Sequence, residues 1–177
     1  MSLIKTNRSD LELIDPNVER DAPISVKWLA GDAGRNTLRL MGNNEEDNKP
    51  STLELEKERV IGFINSKEQI TWMISFKDEI VGAIWVDLKP TSYVGAPAMH
   101  IMIGDPKARG HGIGRSASEA VIGYMRQSGE YRDLYTRHLI SNLPASKLLE
   151  EVGFTKLDET YTDSDGLIWQ NEKLTLS

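Results

Sequence analysis

The sequence predicts an α/β fold, and three observations carry that prediction. Apolar runs of strand length, rich in Ile, Val, Phe and Trp, alternate with stretches whose apolar residues recur every three or four positions. One stretch, Ala98 to Gln127, reads strand, breaker, basic glycine-rich turn and helix without interruption. The chain has 177 residues, 39% hydrophobic and 27% charged, which suits one globular domain over residues 1–177 with a real core.

The elements follow in order. Leu11 to Ile14 alternates and reads as a first strand. Asp15, Pro16 and Asn17 make a turn able to cap a helix. From 18 to 29 the residues Val18, Ala22, Val26 and Leu29, with Trp28, have helical spacing; Pro23 conflicts with it unless the helix starts near Asp21 and holds the proline in its first turn. Gly31 to Gly34 reads as a break and Arg35 to Met41 as a short helix. Gly42 to Pro50 is the most polar segment and reads as a loop. Ser51 or Thr52 then caps a charged helix through about Ile64, and Ser51 with Glu54 fits a capping box. Gln69 to Phe76 and Glu79 to Leu88 read as a hairpin turned at Lys77 and Asp78.

Thr91 to Pro97 is a loop punctuated by Gly and Pro that leads into the central strand. Beyond the helix that follows, Gly129 is a stop, and Asp133 to Ile140 reads as a strand. Pro144 to Glu151 reads as a helix with proline in its first turn, ended by Gly153. Phe154 to Tyr161 and Ile168 to Leu176 close the chain around a turn at Asp163 to Gly166. The order is strand, two helices, three strands, helix, strand, helix and two strands.

The stretch from Ala98 carries the chemistry. Asp105 and Pro106 stop the apolar run Met99 to Ile103, because proline has no N–H to continue a ladder. Arg109, Gly110, Gly112 and Gly114 follow. Ile113, Ala117, Ala120, Val121 and Tyr124 then mark one face of a helix. The first N–H groups of a helix have no internal partner, its dipole there favours anions, and glycine lets a ligand approach closely. Such a turn is a phosphate site, and Arg109 and Arg115 add positive charge.

Three phosphate-binding patterns compete for this turn. A P-loop needs Gly-Lys-Ser/Thr, whereas Gly114 is followed by Arg115 and Ser116. A dinucleotide fingerprint from Gly110 needs glycine at 115, which is Arg115, and from Gly112 needs it at 117, which is Ala117. The pattern Arg/Gln-x-x-Gly-x-Gly/Ala fits Arg109-Gly110-His111-Gly112-Ile113-Gly114 throughout. It resembles the acyl-CoA pyrophosphate loop of the GNAT family of N-acetyltransferases. A second segment, Asn142 through Ala145 to Gly153 and Phe154, resembles the same family after its fifth strand.

That resemblance implies a mixed, mostly antiparallel sheet of six to seven strands, splayed between the fourth strand (98–103) and the fifth (133–140), with helices on both faces. It implies acetyl-CoA as cofactor, its pantetheine arm pairing with backbone at Ile103 and Gly104. Arg109, Gly110, His111, Gly112, Ile113, Gly114 and Arg115 would hold the pyrophosphate, Asn142 would lie near the thioester and acceptor, and Ser146 and Lys147 near the pantetheine. The family's reaction is direct attack of an amine on the thioester in a ternary complex. It needs a base, a donor to the developing oxyanion and help for the leaving thiolate. Ile103 N–H is the candidate donor. His100 is the candidate base: histidine titrates near neutral pH, and arylalkylamine acetyltransferases resemble this chain in having histidine there. The tyrosine that many relatives use as acid is replaced by Leu149, leaving Tyr135, Tyr161 and Ser146 as candidates.

Other features bound the function. The chain has no cysteine, hence no disulfide, thiol nucleophile or zinc-thiolate site. Apolar runs fall short of a membrane span and the N-terminus lacks a signal-peptide core, so a cytoplasmic protein without membrane contact is expected. The net charge of −6 argues against nucleic-acid binding. His100, His111 and His138, without evident carboxylate partners, predict no metal site. Trp28, Trp72, Trp85 and Trp169 read as core. Glu45, Glu46 and Asp47 could draw a cationic amine. The reading is an acetyl-CoA-dependent N-acetyltransferase for a protein N-terminus, a polyamine or an aminoglycoside-like antibiotic, monomeric or homodimeric. The branch it resembles most is that of ribosomal-protein and antibiotic acetyltransferases. The rivals are a non-catalytic acyl-CoA-binding module of the same fold and a structural domain that binds no CoA.

Overall fold

Five helices and eight strands are formed among the residues described by the computed structural model, 3–43 and 49–177. The strands are β1 (Ile4–Lys5), β2 (Leu11–Ile14), β3 (Gln69–Phe76), β4 (Glu79–Asp87), β5 (Ala98–Ile103), β6 (Asp133–Leu139), β7 (Thr155–Thr162) and β8 (Ile168–Thr175). They make one sheet in the order β1-β2-β3-β4-β5-β6-β8-β7. Every pairing is antiparallel except β5 with β6, which is parallel. The extra strand beyond the expected six or seven is β1, whose two residues are too few to show alternation.

The helices are α1 (Val18–Trp28), α2 (Gly31–Leu40), α3 (Leu53–Asn65), α4 (Ile113–Ser128) and α5 (Leu143–Glu151). Three of them precede β3, not two. Helix α1 begins at Val18, where Asn17 Oδ1 accepts from Arg20 N, so Pro23 lies inside it rather than in its first turn. The carbonyl that Pro23 leaves unbonded is that of Glu19; both residues are exposed, so water can take it up. Helix α2 starts at Gly31, and the expected break is its first turn. The α1–α2 corner is tight: a Cβ at Gly34 would stand 2.2 Å from the Leu29 carbonyl carbon. Thr52 caps α3 by accepting from Leu55 N, while the Ser51 hydroxyl bonds the buried Glu56 carboxylate, so the Ser51–Glu54 box does not form. The β3–β4 hairpin turns as expected at Lys77 and Asp78, both at positive φ.

The sheet buries both faces. On one, Trp72, Ile74, Ile84, Val86 and Met99 pack with Ile113, Ala117, Val121 and Met125 of α4. On the other, Met73 and Ala83 pack with Trp28, Leu29 and Leu38 of α1 and α2. No helix among the described residues is long and apolar enough to cross a membrane.

Candidate active site

The sheet parts between β5 and β6. Their ladder has one partner pair, Ala98 with Tyr135, and beyond it the strands diverge. Backbone groups along a strand point alternately to its two neighbours. Gly104 N–H donates to Val81 O of β4 at 2.9 Å, so Ile103 and Ile101 point the other way, into the gap. Met99, in the same phase, has its carbonyl bonded by the Thr136 hydroxyl of β6 at 2.8 Å. Farther along, Ile101 and Ile103 have no ladder partner across the gap. The backbone edge offered to a ligand is therefore Ile101 and Ile103, not Ile103 and Gly104. Gly104 has a packing role instead: a Cβ there would stand 2.2 Å from the Trp28 ring.

The mouth of the gap is the N-terminus of α4. Gly112 is its N-cap, at φ 72°, with no side-chain cap on the first N–H groups. The left-handed conformation favours glycine. Bare N–H groups on a 16-residue helix at the mouth of a parted sheet fit a pyrophosphate. Arg8, which no sequence motif marks, donates to the His111 carbonyl from 103 residues away at 2.6 Å and braces this loop. His111 itself is exposed and stacks beside Phe76. Arg109 is exposed but anchored: Nε donates to Ile103 O at 3.0 Å and Nη2 to Thr37 Oγ1 of α2 at 2.8 Å. Its visible work is to tie β5 to α2. Arg115 pairs with Glu119 one helical turn on, which holds its pKa above the usual arginine value.

A cleft of about 590 Å³ runs through the split; Gly110, Gly112, Ile113, Gly114 and Arg115 line its mouth. Asn142 lines it too, but both ends of its amide are engaged: Oδ1 caps α5 by accepting from Ala145 N, and Nδ2 donates to Leu40 O. Ser146 and Lys147 do not line the cleft. The helical phase of α5 turns Ala145, Leu148 and Leu149 inward, and Lys147 is exposed beside Glu151. Leu149 is buried where the family tyrosine would stand.

His100 is on the α1–α2 face of β5. It stacks on Trp85, its cross-strand partner, with ring centroids 5.5 Å apart. Its Nε2 lies 3.2 Å from Asp87 Oδ2, and Asp87 Oδ1 accepts from Gln69 Nε2 at 3.0 Å. The expectation of no carboxylate partners thus fails for His100. It fails also for His138, buried with Nε2 2.9 Å from Glu172 Oε1 and Nδ1 2.8 Å from Leu139 O. A carbonyl only accepts, so His138 Nδ1 carries a proton and both ring nitrogens are engaged, which suits a structural role. Trp28 and Trp72 are core, as expected, but Trp85 and Trp169 also wall the cleft. Of the alternative acids, Tyr161 accepts from Arg137 Nη1 at 2.6 Å, and Tyr135 packs beside Gly95.

A sheet parted at one ladder, with a bare helix N-terminus at the opening, is the architecture of an acyl-CoA-dependent transferase. The chain belongs to the GNAT acetyltransferase family: the family's domain, described as Acetyltransferase (GNAT) domain, matches residues 13–155. It is an acetyltransferase with acetyl-CoA as acyl donor. The rival of a non-catalytic module gives way to that membership. Among solved structures, the ribosomal L7/L12 alpha-N-protein acetyltransferase RimL in complex with coenzyme A superposes with a TM-score of 0.79 at 15% identity, covering 98% of both chains. The microcin C7 self-immunity acetyltransferase MccE, in complex with acetyl-CoA and AMP, gives 0.74 at 13% identity over 95% of this chain and 93% of that one. Spermidine N-acetyltransferase from Vibrio cholerae, in complex with CoA and spermine, gives 0.73 at 15% identity over 96% and 97%. No curated protein matches the chain in sequence.

Proposed function

We propose that the chain is one catalytic domain over residues 1–177 that acetylates a primary amine by direct attack, with donor and acceptor bound together. The observation that carries this reading is the pair of lips. Ile101 and Ile103 present backbone to the gap, while His100, next to Ile101 and three residues before Ile103, presents its imidazole on the α1–α2 face. A ligand threaded from the α4 side through the gap ends beside that imidazole.

Bound acetyl-CoA supplies the thioester carbonyl that the amine attacks. The chain's residues do the rest. The N-terminal turn of α4, from Gly112 to Arg115, binds the pyrophosphate, and the Ile101 backbone holds a pantetheine amide. Ile103 N–H donates to the carbonyl oxygen as it gains charge. With the proton on Nε2 toward Asp87, His100 Nδ1 has its lone pair free to take the amine proton. Asn142 acts by holding α5 at the cleft wall. Leu149 makes that wall apolar, so the departing sulfur takes its proton from water. Cytoplasmic location and a monomer or homodimer complete the reading.

Release of CoA thiol on a panel of amines tests it. The expected result is turnover of at least one primary amine, with kcat near neutral pH reduced ~10²-fold in His100→Ala. A folded enzyme that binds CoA yet releases thiol with no amine would overturn it.

The polycation preference suggested by Glu45, Glu46 and Asp47 lies outside the described residues.

A further inference from the structure

The acceptor side of the split carries a cation that acetyl transfer does not use. Arg137 is on β6, the lip opposite His100. Ala98 and Tyr135 pair in parallel, so His100 and Arg137, each two residues farther on, stand level and face the same side of the sheet. Both line the cleft. The Arg137 guanidinium lies over the Trp169 ring, 4.3 Å from its centroid, and Nη1 donates to the Tyr161 hydroxyl. Tyr161 is fixed in turn by stacking on Tyr93 at 4.7 Å.

These contacts hold the guanidinium plane and leave its Nε and Nη2 without a hydrogen-bond partner among the described residues. No described carboxylate stands at ion-pair distance from it. Asp163, on the turn beside Trp169, is already taken: Oδ1 accepts from Asp165 N and Leu167 N, and Oδ2 from Trp169 Nε1. A flat guanidinium with two donors free on one edge matches the two oxygens of a planar anion. A cation facing the acceptor position, its charge felt by Asp163 but not ion-paired with it, also disfavours a polycation there.

We propose that Arg137 binds an oxyanion on the acceptor, which makes the acceptor an amine that also carries a carboxylate or a phosphate ester. This rests on the acetyl-transfer reading above. The amine faces His100 on one lip, and the oxyanion docks on Arg137 across the gap.

The experiment measures kcat/KM for CoA thiol release with matched amines: an amino acid against its amide, phosphoethanolamine against ethanolamine, and spermidine. Wild type, Arg137→Gln and Arg137→Lys are compared. In wild type the oxyanion-bearing member should lead its partner, and spermidine, by about 10-fold or more, the scale of a hydrogen-bonded charge. The pair showing the larger ratio identifies carboxylate or phosphate. Arg137→Gln should bring the ratio near one, mainly through KM, and Arg137→Lys should restore only part of it, because a point charge lacks the two-donor edge. Neutral partners or spermidine used equally well, or a ratio intact in Arg137→Gln, would overturn this inference alone. Thiol release from no amine at all would overturn the acetyl-transfer reading and this inference with it. A CoA-induced thermal shift shows that each variant is folded; should Arg137→Gln not fold, the wild-type ratios and Arg137→Lys decide.

Discussion

His100 and Asp87 are 13 positions apart in sequence and 3.2 Å apart in space. The β4–β5 register joins them: Trp85 pairs with His100 and Asp87 with Ala98, so the carboxylate reaches His100 along the diagonal. Histidine on the strand before the glycine turn could be read from residues alone. Asp87 could not, because an aspartate at a strand end carries no mark of its partner. If His100 is the base, as proposed, Asp87 acts through it by holding Nε2 and leaving Nδ1 free. Asp87→Asn should lower kcat by about tenfold and leave KM for acetyl-CoA nearly unchanged, the low end of what positioned proton transfer contributes. A pH–rate profile identical in wild type and Asp87→Asn would separate the carboxylate from the proton transfer. Trp85 and Trp169 show the same limit at this scale: a tryptophan on a strand reads as core until its neighbours decide which part of the ring a cleft exposes.

At the scale of elements, the β5–turn–α4 unit is local in sequence, and its glycine turn and helix start are legible there. The bare N-terminus of α4 needs a residue at φ 72° and no side chain among its N–H groups. Gly112→Asp adds a carboxylate where phosphate oxygens approach and puts a Cβ in left-handed backbone. CoA affinity should fall by at least about 10-fold, the scale of one charged hydrogen bond lost. Calorimetric titration giving an unchanged affinity in the folded variant would remove α4 from the cofactor site.

The β7–β8 turn is a second element with a measurable signature. The Trp169 indole N–H, then the backbone N–H groups of Leu167 and Asp165 and the charge of Arg137, hold the Asp163 carboxyl below its ordinary value. A depressed carboxylate stabilises the fold above its unfolded value and loses that contribution as pH falls through the folded one. The indole N–H resonance of Trp169 should therefore persist down to about pH 4 and shift only below it. In Asp163→Asn that transition should vanish. A Trp169 signal that titrates near pH 6 would point to another group.

On the scale of the molecule, the split determines what the protein can hold. One parallel ladder pair joins two antiparallel halves of the sheet, and the strands diverge past it. Gly104 N–H is paired to Val81, whereas the amides of Ile101 and Ile103 face the gap. Hydrogen exchange should slow at Ile101 and Ile103 on adding CoA and stay unchanged at Gly104, read by amide-resolved exchange. Equal protection at all three positions without ligand would mean the gap is closed in solution. Binding the native state at 100-fold over Kd adds about 2.7 kcal/mol, a rise of roughly 5–10 °C in Tm for a chain of this size.

The sequence by itself determined the order of elements from β2 onward, with α2 read as starting four residues late, and the family; it also pointed to the glycine turn and to His100 as candidates. Each rests on residues within a few turns of one another, where periodicity and turn chemistry act. The tertiary structure decided the rest. Gly104 turns its N–H to Val81, and Ser146 and Lys147 lie off the cleft lining, because backbone direction and helical phase, not proximity to a motif, determine which groups reach the gap. Arg8 on the loop, Asp87 on His100 and Arg137 level with His100 arise from sheet register and from a loop folding back. Register pairs residues on different strands according to how the whole sheet packs, and no local stretch of sequence carries that information.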